Sequence, residues 1–164
     1  LWQHLPGARE ESVHLADFPK NIESLHKPAL HKKWNRLLAI RDAVNNKLET
    51  IRKEKSVGTS LEASIMLRAN GTTAELLEQY LEVLPTLFIT SEVRVVTDQT
   101  LSINDAGTNE TRWNESGGTL EIDATPAEGL KCPRCWRYVR PSTETSINIC
   151  ERCANALPET INAR

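Results

Sequence analysis

Four cysteines close to the end of this 164-residue chain are its strongest candidates for a chemical role. They form two Cys-x-x-Cys pairs, Cys132 with Cys135 and Cys150 with Cys153, with 14 residues between the pairs. Each pair can place two thiolates on one side of a tight turn, and two such turns facing each other make a tetrahedral cage. The spacing therefore predicts one four-cysteine zinc (Zn²⁺) site. Iron is the alternative metal, because a Cys-Pro-Arg-Cys turn also suits four-cysteine iron sites.

Two disulfides, or four ordinary buried thiols, are the other interpretations of these cysteines. Disulfides require an oxidising compartment, and no secretory signal is recognised in the sequence. A metal would also explain how the tail folds. Residues 129–164 number only 36, and segments below about 40 residues rarely fold without such a staple.

The first cysteine pair is embedded in a basic and aromatic segment, residues 131–140. This segment has four Lys or Arg, two aromatic residues and no acid. Guanidinium groups pair with phosphates, and exposed rings stack on unpaired bases for about 1–3 kcal/mol each. Single-stranded RNA loops are the usual target of this mixture. The alternative is that Trp136 covers the metal site and that the arginines are merely solvated.

The elements that must position these residues follow from hydrophobic periodicity. The predicted order begins with a helix over residues 29–55, a strand over 61–69, a turn at 70–71 and a helix over 73–84 that Pro85 ends. One interrupted strand or two short strands follow over 87–90 and 93–97, then a long loop or weak hairpin over 98–118 and a strand over 119–123. A strand–helix–strand order favours a right-handed crossover. The predicted class is α+β, with a long amphipathic helix, a small mixed α/β unit and a C-terminal four-cysteine zinc-binding module.

Composition and the distribution of charge indicate which class of partner this chain could bind. Hydrophobic content of 39% and charged content of 26% fit a globular chain, and no run is apolar enough for a transmembrane helix. The net charge is −2, but residues 27–55 carry nine Lys/Arg against three Asp/Glu, and residues 131–164 carry six against three. On the long helix, Lys33, Arg36 and Lys47 fall on one flank of the apolar stripe, where a phosphate backbone could bind. A solvated helix face is the alternative. No catalytic residue is predicted, because no nucleophile motif or phosphate-binding glycine loop is found.

Several motifs resemble one family. They are Leu38-x-x-Arg41-x-x-Val44-Asn45, Arg52-x-x-Lys55-x-Val57-Gly58-x-Ser60-Leu61-Glu62-Ala63, Lys131-Cys132-Pro133-Arg134-Cys135-Trp136, Ile149-Cys150-x-Arg152-Cys153, and the opening His4-Leu5-Pro6-Gly7. Together they resemble the C-terminal region of bacterial-type isoleucyl-tRNA synthetases, over essentially the whole chain.

The resemblance implies a class I enzyme that joins isoleucine to its tRNA using ATP, with the catalytic and editing domains upstream of this region. It implies a zinc site at the four cysteines, and anticodon contacts from Arg134, Trp136, Arg137 and Arg152. The expected partners are isoleucine tRNA and the upstream catalytic and helical domains of the same chain. We expect a cytoplasmic monomer that binds no membrane, with an organellar copy left open.

The residue patterns and the resemblance together divide the chain into three parts. Residues 1–28 would be an irregular strap or junction, residues 29–128 the helix and α/β unit that end the anticodon-binding region, and residues 129–164 the zinc-binding tail. Two other functions stay open from the sequence. One is the zinc-finger tail of a DNA-repair glycosylase, and the other is a zinc ribbon that joins proteins.

Overall fold

The computed structural model describes residues 2–18, 26–101, 112–115, 118–140 and 149–157, with only the backbone for 112–115. The chain divides into two compact units, Leu1–Lys32 and Lys33–Arg164. In the first unit, two single 3₁₀ turns span Trp2–His4 and Val13–Leu15. The Trp2 indole N–H donates to the Glu10 carbonyl at 2.9 Å, and the Arg9 guanidinium lies 5.1 Å from the Trp2 ring centroid. A local cation–π contact thus organises this short segment.

Helix α1 spans Pro28–Lys53, which confirms the predicted long helix. Its buried residues recur at three- and four-residue steps and are Leu37, Ile40, Val44, Leu48 and Ile51. Ile40 is fully buried in this stripe, whereas its apolar neighbour Leu38 is 41% exposed. The helix ends where Lys55 adopts a left-handed φ of 59°, and the Ser56 N–H donates to the Ile51 carbonyl. That bond satisfies a carbonyl that the last turn leaves unpaired.

Four strands form one mixed sheet in the order β2-β1-β4-β3. They are β1 Ala63–Ala69, β2 Glu92–Thr97, β3 Arg112–Glu115 and β4 Gly118–Pro126. Strand β1 pairs parallel with β2 and antiparallel with β4, and β4 pairs antiparallel with β3. Alternate residues of β1 are buried, so one sheet face joins the core with the apolar face of α1.

The connection from β1 to β2 corrects the sequence prediction. Helix α2 spans Gly71–Gln79, and a short helix α3 spans Leu84–Leu87 where a strand over 87–90 was predicted. The predicted strand is wrong. Pro85 does not end a helix but lies in the first turn of α3, where its missing N–H costs nothing. Buried Leu84 and Phe88 then reach the core from one helical turn.

The predicted loop or hairpin over residues 98–118 contains strand β3, and β3 and β4 form an antiparallel hairpin. After the main sheet, β5 Leu130–Lys131 pairs antiparallel with β6 Tyr138–Val139, and helix α4 spans Glu151–Asn155. We call the β5–β6 pair and its connecting turn the ribbon. The observed class is α+β, as predicted. None of the helices in the described ranges has the length and apolar character needed to cross a membrane.

The buried hydroxyl of Thr90 is expected to lower the stability of the fold. The Thr90 side chain is fully buried, and its Oγ1 has no hydrogen-bond partner among the described residues. A buried hydroxyl without a partner costs about 1–3 kcal/mol. We therefore expect Thr90→Val, which keeps the shape, to raise the free energy of unfolding by about 1 kcal/mol, measured by urea unfolding. Thr73 is the control, because its buried Oγ1 accepts from Arg36 Nη2 at 3.2 Å. Thr73→Val should destabilise the fold, and destabilisation by Thr90→Val would contradict the prediction.

Candidate metal centre

The first pair of thiols lies on the turn that connects β5 to β6. The Cys132 N–H donates to the Arg137 carbonyl at 2.9 Å, and the Trp136 N–H donates to the Cys132 carbonyl at 2.8 Å. Trp136 adopts a left-handed φ of 64°, which reverses the chain towards β6. This conformation is uncommon for a residue other than glycine. The turn therefore directs the Cys132 and Cys135 side chains to one side of the ribbon.

The second pair of thiols lies at the start of α4. Cys150 occupies the N-cap position in an extended conformation, and Cys153 follows in the first turn of the helix. The Cys153 N–H donates to the Cys150 carbonyl at 2.9 Å. The two pairs also contact each other, because the Cys150 N–H donates a hydrogen bond to Cys132 Sγ at 3.4 Å. Two short local structures, 14 residues apart in the sequence, thus converge.

The four thiols have the geometry of a metal cage. All four Sγ atoms lie within 4.8 Å of one another, and Cys135 Sγ is 3.6 Å from Cys150 Sγ. A tetrahedral zinc site with bonds of about 2.3 Å has sulfur atoms about 3.8 Å apart. The cysteines are free thiols, with Cys132 and Cys153 buried. The donor set therefore fits zinc or iron. Four protein ligands would leave no open position for a substrate, which is typical of structural sites.

Electrostatics favour a cation among these thiols. Burial raises the pKa of the Cys132 thiol, but N–H groups of Cys135, Cys150 and Arg134 outweigh burial and bring the pKa down to about 6. Burial raises the pKa of Cys150 to about 12, and the neighbouring thiols contribute to that rise. Burial also raises the pKa of Cys135. The Cys132 thiolate forms readily while the Cys135 and Cys150 thiols resist ionisation, so a bound cation would favour the thiolate forms of these two.

The predicted RNA-contact residues of the tail surround this cage. Arg134 and Arg152 are exposed, and Trp136 is 62% exposed. Arg137 is half-buried, and its Nη2 donates to Thr86 Oγ1 at 3.1 Å. The turn thus presents the Trp136 indole ring and the Arg134 guanidinium, and α4 presents the guanidinium of Arg152. Contact with RNA stays a prediction for all four.

The helix residues Lys33, Arg36 and Lys47 lie on α1. Lys33 Nζ donates to Gln79 Oε1 at 3.0 Å, and Arg36 Nη2 lies 3.2 Å from Thr73 Oγ1 and 3.3 Å from Thr72 Oγ1. These bonds tie α1 to α2. Lys47 is half-buried. A phosphate contact by these side chains stays a prediction.

Ser91 joins the ribbon to the sheet, a role that no motif in the sequence predicts. Its Oγ accepts from the Tyr138 N–H at 2.7 Å and donates to the Leu61 carbonyl. Together with the Arg137–Thr86 bond, this contact fixes the ribbon against the segment from α3 to β2. Hydrogen bonds between residues about 50 positions apart leave no local pattern in a sequence. Only the folded chain reveals them.

The chain is similar to known proteins over nearly its whole length. No protein-family model matches the chain. The isoleucine–tRNA ligase of Natranaerobius thermophilus is 36% identical over 162 residues, covering 99% of this chain and 17% of that protein. The isoleucine–tRNA ligase of Syntrophotalea carbinolica is 37% identical over 162 residues, with 97% and 16% covered. That of Staphylococcus haemolyticus is 40% identical over 157 residues, with 93% and 16% covered. The chain thus spans about a sixth of the length of the curated relatives that it matches.

Proposed function

Since the chain is homologous along nearly its whole length to one region of the isoleucine–tRNA ligases, we propose that it is their tRNA-binding tail. In the whole enzyme, which attaches isoleucine to its tRNA using ATP, this region would bind the anticodon side of the tRNA. The sequence carries no nucleotide-binding signature, so the proposal assigns this chain no catalytic step. Its partners would be isoleucine tRNA and the upstream domains of the same chain, in a cytoplasmic or organellar monomer.

One observation carries the proposal. The ribbon presents Trp136 with 62% of its side chain exposed, one residue away from each of Cys135 and Arg137. An indole ring that folding leaves exposed can stack on an unpaired base, and a neighbouring guanidinium can pair with phosphate. Because the cysteines shape the turn that carries this ring, the metal would act by positioning the RNA contacts.

We propose zinc as the metal and residues 129–164 as the part of the chain that it folds. Cys132, Cys135, Cys150 and Cys153 would be its ligands, and zinc would supply a redox-inert structural link between the ribbon and α4. Residues 29–128 would form the supporting α/β unit, and residues 1–28 the junction to upstream domains. Arg134, Arg137 and Arg152 would contact RNA near Trp136. Lys33, Arg36 and Lys47 would contribute weaker phosphate contacts along α1.

The test of this function is binding of an unmodified isoleucine tRNA transcript to the metal-loaded chain, followed by fluorescence anisotropy. We expect Trp136→Ala to weaken binding by about 1–3 kcal/mol, the usual worth of one stacked base. Arg134→Ala should weaken binding and reduce the slope of log K against log salt by about one. Phe18→Ala is the control, because it removes a 91% exposed ring from the other unit and should leave affinity unchanged.

Two outcomes would count against the proposal. Equal affinity for a transcript with an altered anticodon would remove the anticodon assignment. Binding that does not depend on salt or on Trp136 would favour a zinc ribbon that joins proteins, because phosphate contacts always make RNA affinity salt-dependent. Metal content must be measured for each variant, so that loss of binding is not confused with loss of the metal.

A further inference from the structure

Ile89 occupies a position that folding alone would give to glycine. It follows α3 with a left-handed φ of 58°, and the Thr90 N–H donates to the Pro85 carbonyl at 3.0 Å. This hydrogen bond closes a helix end whose left-handed residue is usually glycine. A β-branched side chain in this conformation is a genuine outlier and costs conformational free energy. The fold therefore bears a cost for the side chain at position 89.

Packing within the described part of the chain offsets little of this conformational free energy. The Ile89 side chain is 55% exposed, whereas its neighbours Phe88 and Thr90 are buried. An aliphatic side chain that stays in water gains little from the hydrophobic effect. Trp136 shows the same combination, because it too is left-handed, large and mostly exposed. Both residues present apolar surface outward from strained backbone.

Hydrogen bonds place Ile89 and Trp136 on one substructure. Arg137, which follows Trp136, donates to Thr86, and Ser91 accepts from the next backbone N–H, that of Tyr138. Thr86 and Ser91 flank Ile89 in the sequence at distances of three and two residues. The ribbon is therefore hydrogen-bonded to one residue before Ile89 and one residue after it in the sequence. Ile89 and Trp136 thus belong to segments that are bonded to each other.

From this arrangement we propose that Ile89 is a second RNA-contact residue, which packs on an unpaired nucleotide next to the one that stacks on Trp136. The inference rests on the proposed tRNA-binding function. The charge of the ribbon favours RNA over a protein partner, because residues 131–140 carry four basic residues and no acid. Of the arginines among them, only Arg140 forms an ion pair in the described part of the chain, to Glu128 at 3.0 Å. Apolar side chains among guanidinium groups suit nucleotides, whose base faces are apolar and whose phosphates are anionic.

The test compares Ile89→Gly and Ile89→Asn with the wild-type chain, all metal-loaded, using the same isoleucine tRNA transcript. Glycine and asparagine both tolerate a left-handed backbone. We expect each variant to unfold at the same or a higher temperature than the wild type. We also expect each to bind the transcript about five- to tenfold more weakly, or about 1–1.4 kcal/mol. Opposite effects on stability and on affinity separate an RNA contact from a structural role.

The outcomes distinguish this inference from the function on which it rests. If Ile89→Gly binds the transcript with wild-type affinity while Trp136→Ala binds it more weakly, the Ile89 contact is overturned and the proposed function stands. The exposed Ile89 side chain would then contact a protein partner instead of RNA. A lower unfolding temperature for Ile89→Gly also overturns it, because the side chain would then be structural. If the wild-type chain does not bind the transcript, both proposals fail. Non-additive loss in the double variant would place both side chains on neighbouring nucleotides.

Discussion

Cys150→Ser is expected to unfold the ribbon and α4 while the four-stranded sheet and its helices stay folded. Structural zinc sites of small domains contribute on the order of 10–16 kcal/mol of apparent binding free energy. A serine hydroxyl stays protonated at neutral pH and is a poor zinc ligand, so most of that free energy would be lost. Nothing else in the described part of the tail could replace it.

The division between what unfolds and what survives follows from the core. Every buried residue of the main hydrophobic cluster lies between Leu37 and Ala124. Beyond Ala124, the buried apolar residues that the structure describes are Cys132 and Cys153, which are themselves proposed ligands. The tail therefore has little hydrophobic free energy of its own, and the sheet loses no core residue when the tail unfolds.

The measurement is one zinc assay and one amide spectrum for each variant. Elemental analysis should give one zinc per wild-type chain and close to none for Cys150→Ser. Amide resonances from the ribbon and α4 should lose their dispersion, while those of β1 and β4 keep their wild-type positions. Asn155→Ser is the matched control, because it also introduces a serine into the α4 segment, at an exposed position. A folded, metal-free tail, seen by far-UV circular dichroism and the amide spectrum, would refute the staple.

The cysteines and α1 could be predicted because their signals are local. Two Cys-x-x-Cys pairs specify a ligand set whatever lies between them, and periodic apolar residues specify a helix face over many turns. The strand predicted over residues 87–90 failed for the opposite reason. Three apolar residues and a threonine, in a short run after a proline, are too few to distinguish a strand from a helical turn.

The interface between the tail and the sheet could not be predicted for a different reason. Ser91 and Tyr138 are 47 residues apart, and Thr86 and Arg137 are 51 apart. A serine or threonine at such a position resembles any other polar surface residue, because its partner is set by the tertiary fold. The exposure of Ile89 was hidden in the same way, since an apolar residue in a hydrophobic run is expected to be buried.

Gly129→Ala is expected to weaken metal binding strongly although it changes no ligand. Gly129 has a φ of +109°, and a Cβ there would lie 2.2 Å from the Val139 carbonyl oxygen and 2.9 Å from the Arg140 nitrogen. These are backbone atoms, so no side-chain rotation relieves the overlap. The Leu130–Val139 pair that starts the ribbon would have to separate. Strain at such a φ adds about 1–3 kcal/mol for a residue other than glycine.

The measurement is competition for zinc with a chromogenic chelator, for the wild type and the variant. Metal sites require ligand distances within about 0.2 Å of their ideal values, so a displaced ribbon should bind zinc with much lower affinity. Gly7→Ala is the control, because Gly7 has a φ of +100° but a Cβ there would meet nothing within 4 Å. It tests the backbone strain without the overlap and should leave zinc affinity unchanged. Wild-type zinc affinity for Gly129→Ala would show that close approach of the ribbon strands is not needed.

The two variants together separate the ligands from the scaffold that presents them. Cys150→Ser removes a proposed metal ligand, so excess zinc should not restore the folded tail. Gly129→Ala keeps all four thiols, so excess zinc should restore folding by mass action, with a higher midpoint. The shift between the Gly129→Ala and wild-type midpoints then measures how much affinity comes from a preorganised ribbon. Because Trp136 lies on that ribbon, the tRNA affinity of Gly129→Ala should recover as its zinc site fills. Recovery of folding without recovery of tRNA binding would show that the metal does not support RNA recognition.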